Sequence, residues 1–159
     1  MRLTSRGRVA VTSLVDMARN QKNGQPVKLS DISKRQNITV TFLEQVFYLL
    51  RKNGVVKSSR GPQGGYFFVT KPNLIMISDV IKAIEEDLKI TNCNGIDYGC
   101  KSANNRNSKC LTHNLWHELK KHMMFFLDSV SIEDVRENNF FGKGFVSVDK
   151  PQPNNQINV

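Results

Sequence analysis

Long hydrophobic runs are absent from this 159-residue sequence. No stretch approaches the roughly 18 apolar residues that cross a bilayer, which argues against a membrane-spanning helix. Cysteine is scarce and odd in number, and all three residues lie between Cys93 and Cys110. That does not suit a secreted disulfide framework. The opening Met1-Arg2-Leu3-Thr4-Ser5-Arg6-Gly7 does not read as a signal peptide, so a cytoplasmic chain with reduced thiols and no membrane partner is expected. There is no glycine-rich phosphate loop, carboxylate pair or nucleophile–base arrangement, so no enzyme is expected. Acidic residues are few in the first 72 positions, 3 against 13 basic ones, whereas residues 73–159 hold 11 against 10. The whole surplus behind the net charge of +9 and the pI near 9.7 therefore sits in the front half. Such a split is expected of a basic module that meets a polyanion, with nucleic acid ahead of an anionic membrane surface. Hydrophobic residues at 39% allow a buried core and exclude wholesale disorder.

Three helical patterns and a hairpin occupy that basic half. Val9, Ala10, Leu14, Val15, Met17 and Ala18 lie on one face of a helix expected over 4–21. A short helix is expected over 30–35, with Ser30 as N-cap and Ile32 facing inward. Phe42, Leu43, Val46, Phe47 and Leu50 give period 3.6 to a third, running from 39 or 40 to 53, and Gly54 supplies its left-handed stop. Strands over 55–59 and 66–69 flank the turn Arg60-Gly61-Pro62-Gln63-Gly64-Gly65. The fold class is thus mainly α with a small β-hairpin wing: a winged helix-turn-helix over 1–72, with 70–73 as a linker.

Beyond the linker, Ser78 is placed to cap a helix reaching about residue 88. Residues 91–113 follow with little apolar periodicity, five asparagines and all three cysteines. A loop of that length needs something other than a core to hold it. A long helix from about 112 carries Trp116, Leu119, Met123, Phe126 and Val130 at heptad-like spacing, a candidate dimerisation seam. Ser131 and Asp134 read as a capping box for one more helix. The expected organisation is a cysteine-bearing loop, a candidate metal site, with dimerisation helices over 73–138 and a disordered tail over 139–159.

In a helix-turn-helix the second helix of the motif enters the major groove and its first turns meet base edges. Here they offer Thr39, Thr41, Glu44 and Gln45. Glu44 suits a cytosine amino group and Gln45 an adenine edge. Phosphates repel a carboxylate, so Glu44 reads as a discriminator between sequences. Arg2, Arg6, Arg8, Arg51, Lys52 and Lys57 are expected to hold phosphates, which positions the protein without specifying a sequence. Arg60, beside wing glycines, suits a narrow minor groove. Each feature alone has a plain alternative, a solvated side chain or an ordinary turn; together they favour DNA.

The spacing Cys93-x6-Cys100-x9-Cys110-x2-His113 joins three thiolates to one imidazole. Zinc and an iron–sulfur cluster are both allowed by that donor set, and three unrelated thiols with a surface histidine remain the bland alternative. His117 and His122 read as solvated or interface side chains.

The opening Met1-Arg2-Leu3-Thr4-Ser5-Arg6-Gly7-Arg8, the run Phe42-Leu43-Glu44-Gln45, the stretch Leu50-Arg51-Lys52-Asn53-Gly54-Val55-Val56, the wing Arg60-Gly61-Pro62-Gln63-Gly64-Gly65-Tyr66 and the run Cys110-Leu111-Thr112-His113 resemble one known family. It is the Rrf2 family of bacterial winged-helix transcription factors, and within it the iron–sulfur cluster regulators. The resemblance covers about residues 1–138 and implies a homodimer on a palindromic operator in double-stranded DNA. It implies a [2Fe-2S] cluster held by Cys93, Cys100, Cys110 and His113, received from the cluster assembly machinery. It further implies that the loaded form represses the cluster assembly genes, and that Thr41, Glu44, Gln45 and Arg60 contact DNA. Nitric-oxide-sensing relatives take an N-terminal aspartate as fourth ligand; Arg8 stands in that region here, which favours the cluster regulators. The rival expectations are a zinc- or thiol-based redox or nitric-oxide-responsive transcription regulator of the same fold, and an iron–sulfur carrier whose basic half docks an acidic partner.

Overall fold

Helix α1, Ser5–Asn20, opens a computed structural model that describes residues 5–22, 24–84 and 111–143. Its apolar stripe buries Ala10, Leu14 and Met17 completely. Helix α2, Leu29–Gln36, starts earlier than the sequence suggests. Lys28 is the N-cap, and its carbonyl accepts from Asp31 and Ile32, while Ser30 lies exposed in the first turn rather than capping it. The reason is burial: beginning at Leu29 carries both Leu29 and Ile32 into the core. Asn37, left-handed at φ 53°, ends α2 and turns the chain into α3, Val40–Lys52. Thr39 caps α3, its Oγ1 accepting from the Phe42 N–H at 3.4 Å. Gly54 leaves α3 at φ +73°, the left-handed stop expected there.

The hairpin follows. Strands β1, Val56–Ser59, and β2, Gly65–Phe68, pair antiparallel with Val56 opposite Phe68 and Ser59 opposite Gly65. The wing does not hang free, because Val27 and Tyr66 exchange two backbone hydrogen bonds of 2.8 Å. Gly65 is required by that approach: a Cβ there would lie 2.5 Å from the Val27 carbonyl oxygen. A 3-10 turn, Pro72–Leu74, leads to α4, Ile77–Ala83. Ser78 is not its cap. Met76 takes that position, because a bridge between Met76 and Ser131 holds it extended, and Ser78 is buried inside the first turn.

Helix α5, His113–Ser129, and α6, Ile132–Arg136, complete the described chain. Val130 falls outside α5 in extended conformation, buried in the core, so it does not continue the Trp116–Phe126 stripe. Its carbonyl accepts from Ile77, and Ile132 donates to Ile75, both at 2.9 Å. The buried apolar cluster is shared by α1, α2, α3, α4 and α6. The mainly helical, winged helix-turn-helix fold expected from the sequence is the one observed. Among the described residues no helix is long and apolar enough to cross a membrane.

The expected capping box on α6 is present. Ser131 Oγ accepts from the Asp134 N–H at 3.1 Å, and the Asp134 carboxylate accepts from the Ser131 N–H at 2.9 Å. Lys143 adds an ion pair at 2.6 Å. Hydrogen bonding from Lys143, then from the Ser131 hydroxyl, holds the Asp134 carboxyl down at about 2. A carboxyl lowered by folding stabilises fully above its unfolded value of 3.8, and that contribution disappears as pH falls toward 2. Urea midpoints of the parent chain and of Asp134→Asn should therefore differ most above pH 4 and converge near pH 2. A gap that stays constant across that window would remove Asp134 as the titrating group.

Candidate nucleic-acid interface and metal-donor residues

The outer face of α3 follows from its inner one. Leu43, Val46, Phe47 and Leu50 are buried, so Thr41, Glu44 and Gln45 project into solvent. Arg6, near the start of α1, lines the same open groove as these three residues. Arg8 is exposed two residues further along α1. Thr39 is exposed, but its hydroxyl is engaged as the cap. In the last turn Arg51 and Lys52 are exposed, and the Arg51 guanidinium donates to Ser58 on β1 at 3.3 Å. That bond ties the far end of the reading helix to the wing. Arg60 is exposed where β1 enters the wing turn. The structure thus gathers Arg6, Thr41, Glu44 and Gln45 at one groove and puts Arg51 and Arg60 toward the wing. Arg2 lies outside the described residues.

Two supports of this surface escaped the sequence reading. Asp16 is buried in α1, yet it is charged. Arg35 Nε donates to both of its carboxylate oxygens at 3.1 Å, Arg35 Nη2 to one at 2.7 Å, and Gln36 Nε2 to the other at 2.7 Å. This fork-shaped clamp joins α1 to α2, and its hydrogen bonds raise the Arg35 pKa above its ordinary value. The second is Asn53, at the C-cap of α3, whose side-chain amide donates to the Leu49 carbonyl at 3.1 Å and to Ala83 at the end of α4 at 2.7 Å. Neither long-range tie had a local signal, because Arg35 and Gln36 lie 19 and 20 residues from Asp16, and Ala83 lies 30 from Asn53. A third omission, Tyr48, was open to the same spacing rule that exposed Glu44.

Of the proposed metal donors, Cys93, Cys100 and Cys110 lie outside the described residues. His113 is the first residue of α5 and only 4% exposed, with its ring parallel to that of His117 at 6.3 Å. His117, expected as a solvated or interface side chain, is half-buried, and its Nδ1 meets no hydrogen-bond partner among the described residues. His122 is exposed. Along α5, Leu115, Trp116, Leu119 and Phe126 are exposed and Met123 is half-buried. Trp116 Nε1 donates to Thr112 at 3.1 Å.

Comparison with known proteins agrees with this geometry. Residues 3–138 match the Rrf2 family, described as an iron-dependent transcriptional regulator. The HTH-type transcriptional regulator IscR of Xenorhabdus nematophila is 45% identical over 138 residues, covering 87% of this chain and 80% of that protein. The protein of the same name from Klebsiella pneumoniae strain 342 is 44% identical, again over 87% of this chain and 81% of its own. Among solved structures, IscR of T. potens superimposes with a TM-score of 0.68 at 30% identity, over 87% of this chain and 88% of that one. CymR, the global cysteine regulator of B. subtilis, gives 0.71 at 25% identity, over 87% and 98%. These relatives are transcription regulators and not enzymes. With a reading helix, a pinned wing and a family match spanning nearly all the described residues, the chain belongs to the Rrf2 family of iron-dependent transcriptional regulators.

Proposed function

We propose that this chain is a cytoplasmic, homodimeric repressor whose choice of operator depends on a [2Fe-2S] cluster. Residues 1–72 serve as the DNA-binding module and 73–138 as the cluster-binding and dimerising part. Thr39, Thr41, Glu44 and Gln45 meet base edges, Arg60 enters the minor groove, and Arg2, Arg6, Arg8, Arg51 and Lys52 hold phosphates. Cys93, Cys100, Cys110 and His113 are the residues that would hold the cluster. The donor set fits: thiolates are the usual ligands of iron–sulfur centres, and an imidazole can replace one of them. When bound, the cluster supplies a charged cross-link whose presence depends on iron and sulfide supply from the assembly machinery. The loaded form is proposed to repress the genes for that machinery.

The observation that carries this reading is a continuous path from donor to reader. His113 is buried at the start of α5. From α5, Asp128 pairs with Lys82 of α4 at 3.6 Å, and the end of α4 is bonded to Asn53 at the end of α3. His113 therefore begins a helix, α5, that packs on α4, and α4 in turn contacts the reading helix. A two-fold operator calls for two reading helices at fixed spacing. The exposed apolar stripe Leu115, Trp116, Leu119 and Phe126 on α5 supports self-association as the means.

Anaerobic reconstitution followed by iron and acid-labile sulfide analysis tests the cofactor. Equal iron and sulfide are expected in the parent chain and neither in the Cys93→Ala, Cys100→Ala, Cys110→Ala variant, which should bind duplexes with altered sequence preference. Colourless protein holding stoichiometric zinc would refute the cluster assignment, and unchanged preference would refute the switch.

A further inference from the structure

Thr41, Glu44, Gln45 and Tyr48 stand at i, i+3, i+4 and i+7, one stripe along α3. Tyr48 is 55% exposed although it is a large aromatic residue, and its neighbours Phe47 and Leu50 are fully buried. It lines the same groove as Arg6, Thr41, Glu44 and Gln45, and its hydroxyl bonds to none of the described residues. Among the described residues no packing partner accounts for an aromatic ring held in water at this position.

We propose that the Tyr48 hydroxyl donates a hydrogen bond to a phosphate oxygen of the DNA backbone, setting how deeply α3 enters the groove. The inference rests on the DNA-binding reading above and adds a contact to it. Position within the helix decides between base and phosphate. Base edges are met by the first turns of a recognition helix, and Tyr48 lies about 10 Å farther along the axis than Thr41. Cations prevail there, with Arg6 across the groove and Arg51 and Lys52 in the next turn against one carboxylate, Glu44, a turn before it. Such a flank concentrates phosphate, and tyrosine is an established phosphate donor in duplex interfaces. A neutral donor adds affinity without displacing a counterion, so its loss has a signature unlike that of an arginine.

The test uses the full chain and a duplex enriched by the parent protein from a random pool, beside a scrambled duplex, over a range of salt. Tyr48→Phe should weaken both duplexes alike, by about tenfold, with an unchanged salt slope and an unchanged thermal midpoint. Arg51→Ala should instead flatten the slope by about 0.9 for the phosphate it releases. Parent-like binding by Tyr48→Phe would overturn the phosphate contact. So would a loss confined to the enriched duplex, which would indicate a base contact. If the parent chain enriches no duplex at all, the DNA-binding reading itself fails, an outcome distinguishable from either.

Discussion

Phe47→Ala is expected to cost about 3–5 kcal/mol, the range for removing a buried aromatic side chain. Phe47 is completely buried on the inner face of α3, and its ring meets Tyr66 of β2 edge-on at 4.9 Å and 64°. Three terms coincide there: lost transfer of apolar surface, a cavity beneath the reading helix, and a broken aromatic pair. For a chain of this size the loss corresponds to about 6–20 °C in thermal midpoint. Because Glu44 and Gln45 ride on the same helix and Tyr66 is bonded to Val27, duplex affinity should fall with stability. Phe47→Leu keeps most of the volume and should retain most of both. Urea unfolding of the two variants checks this; a cost below about 1 kcal/mol for alanine would mean that the core collapses to refill the space.

Arg35→Leu is expected to cost about 3 kcal/mol, at the low end for a broken buried ion pair. The Asp16 side chain is only 4% exposed, whereas that of Arg35 is 36% exposed, so water screens the pair from one side. Removing Arg35 leaves a buried carboxylate with Gln36 as its remaining side-chain donor. Asp16→Asn should be milder, because no buried charge is orphaned. Arg35→Lys should fall between, since an ammonium cannot make the fork of bonds seen here. All three changes loosen α2 against α1 and should lower duplex affinity through the first helix of the motif. Chemical denaturation ranks the three variants, and an Arg35→Leu chain as stable as the parent would show the clamp to be dispensable.

Local pattern made much of the fold legible. α1, α3, the hairpin and α6 each carry their own signal, whether apolar period, glycine stop or a Ser131–Asp134 box, and these need only residues a few positions apart. The starts of α2 and α4 were misplaced because they answer to distant partners. Met76 is held extended by Ser131, which lies 55 positions later in the chain, and that bridge rather than a side-chain cap decides where α4 begins. The departure of Val130 from the apparent seam has the same origin, since its carbonyl is claimed by Ile77.

By itself the sequence determined a cationic front half, the residue types along the outer face of α3, and the spacing of three cysteines and one histidine. Charge, helical period and ligand chemistry are properties of residue identity and spacing, so no packing is needed to read them. Only the tertiary structure decided that Asp16 is a buried clamp, that the wing is pinned through Val27, and that Asn53 joins the reading helix to α4. Those outcomes depend on which surfaces meet once the chain is compact, and two distant residues that meet leave no trace in the spacing of either.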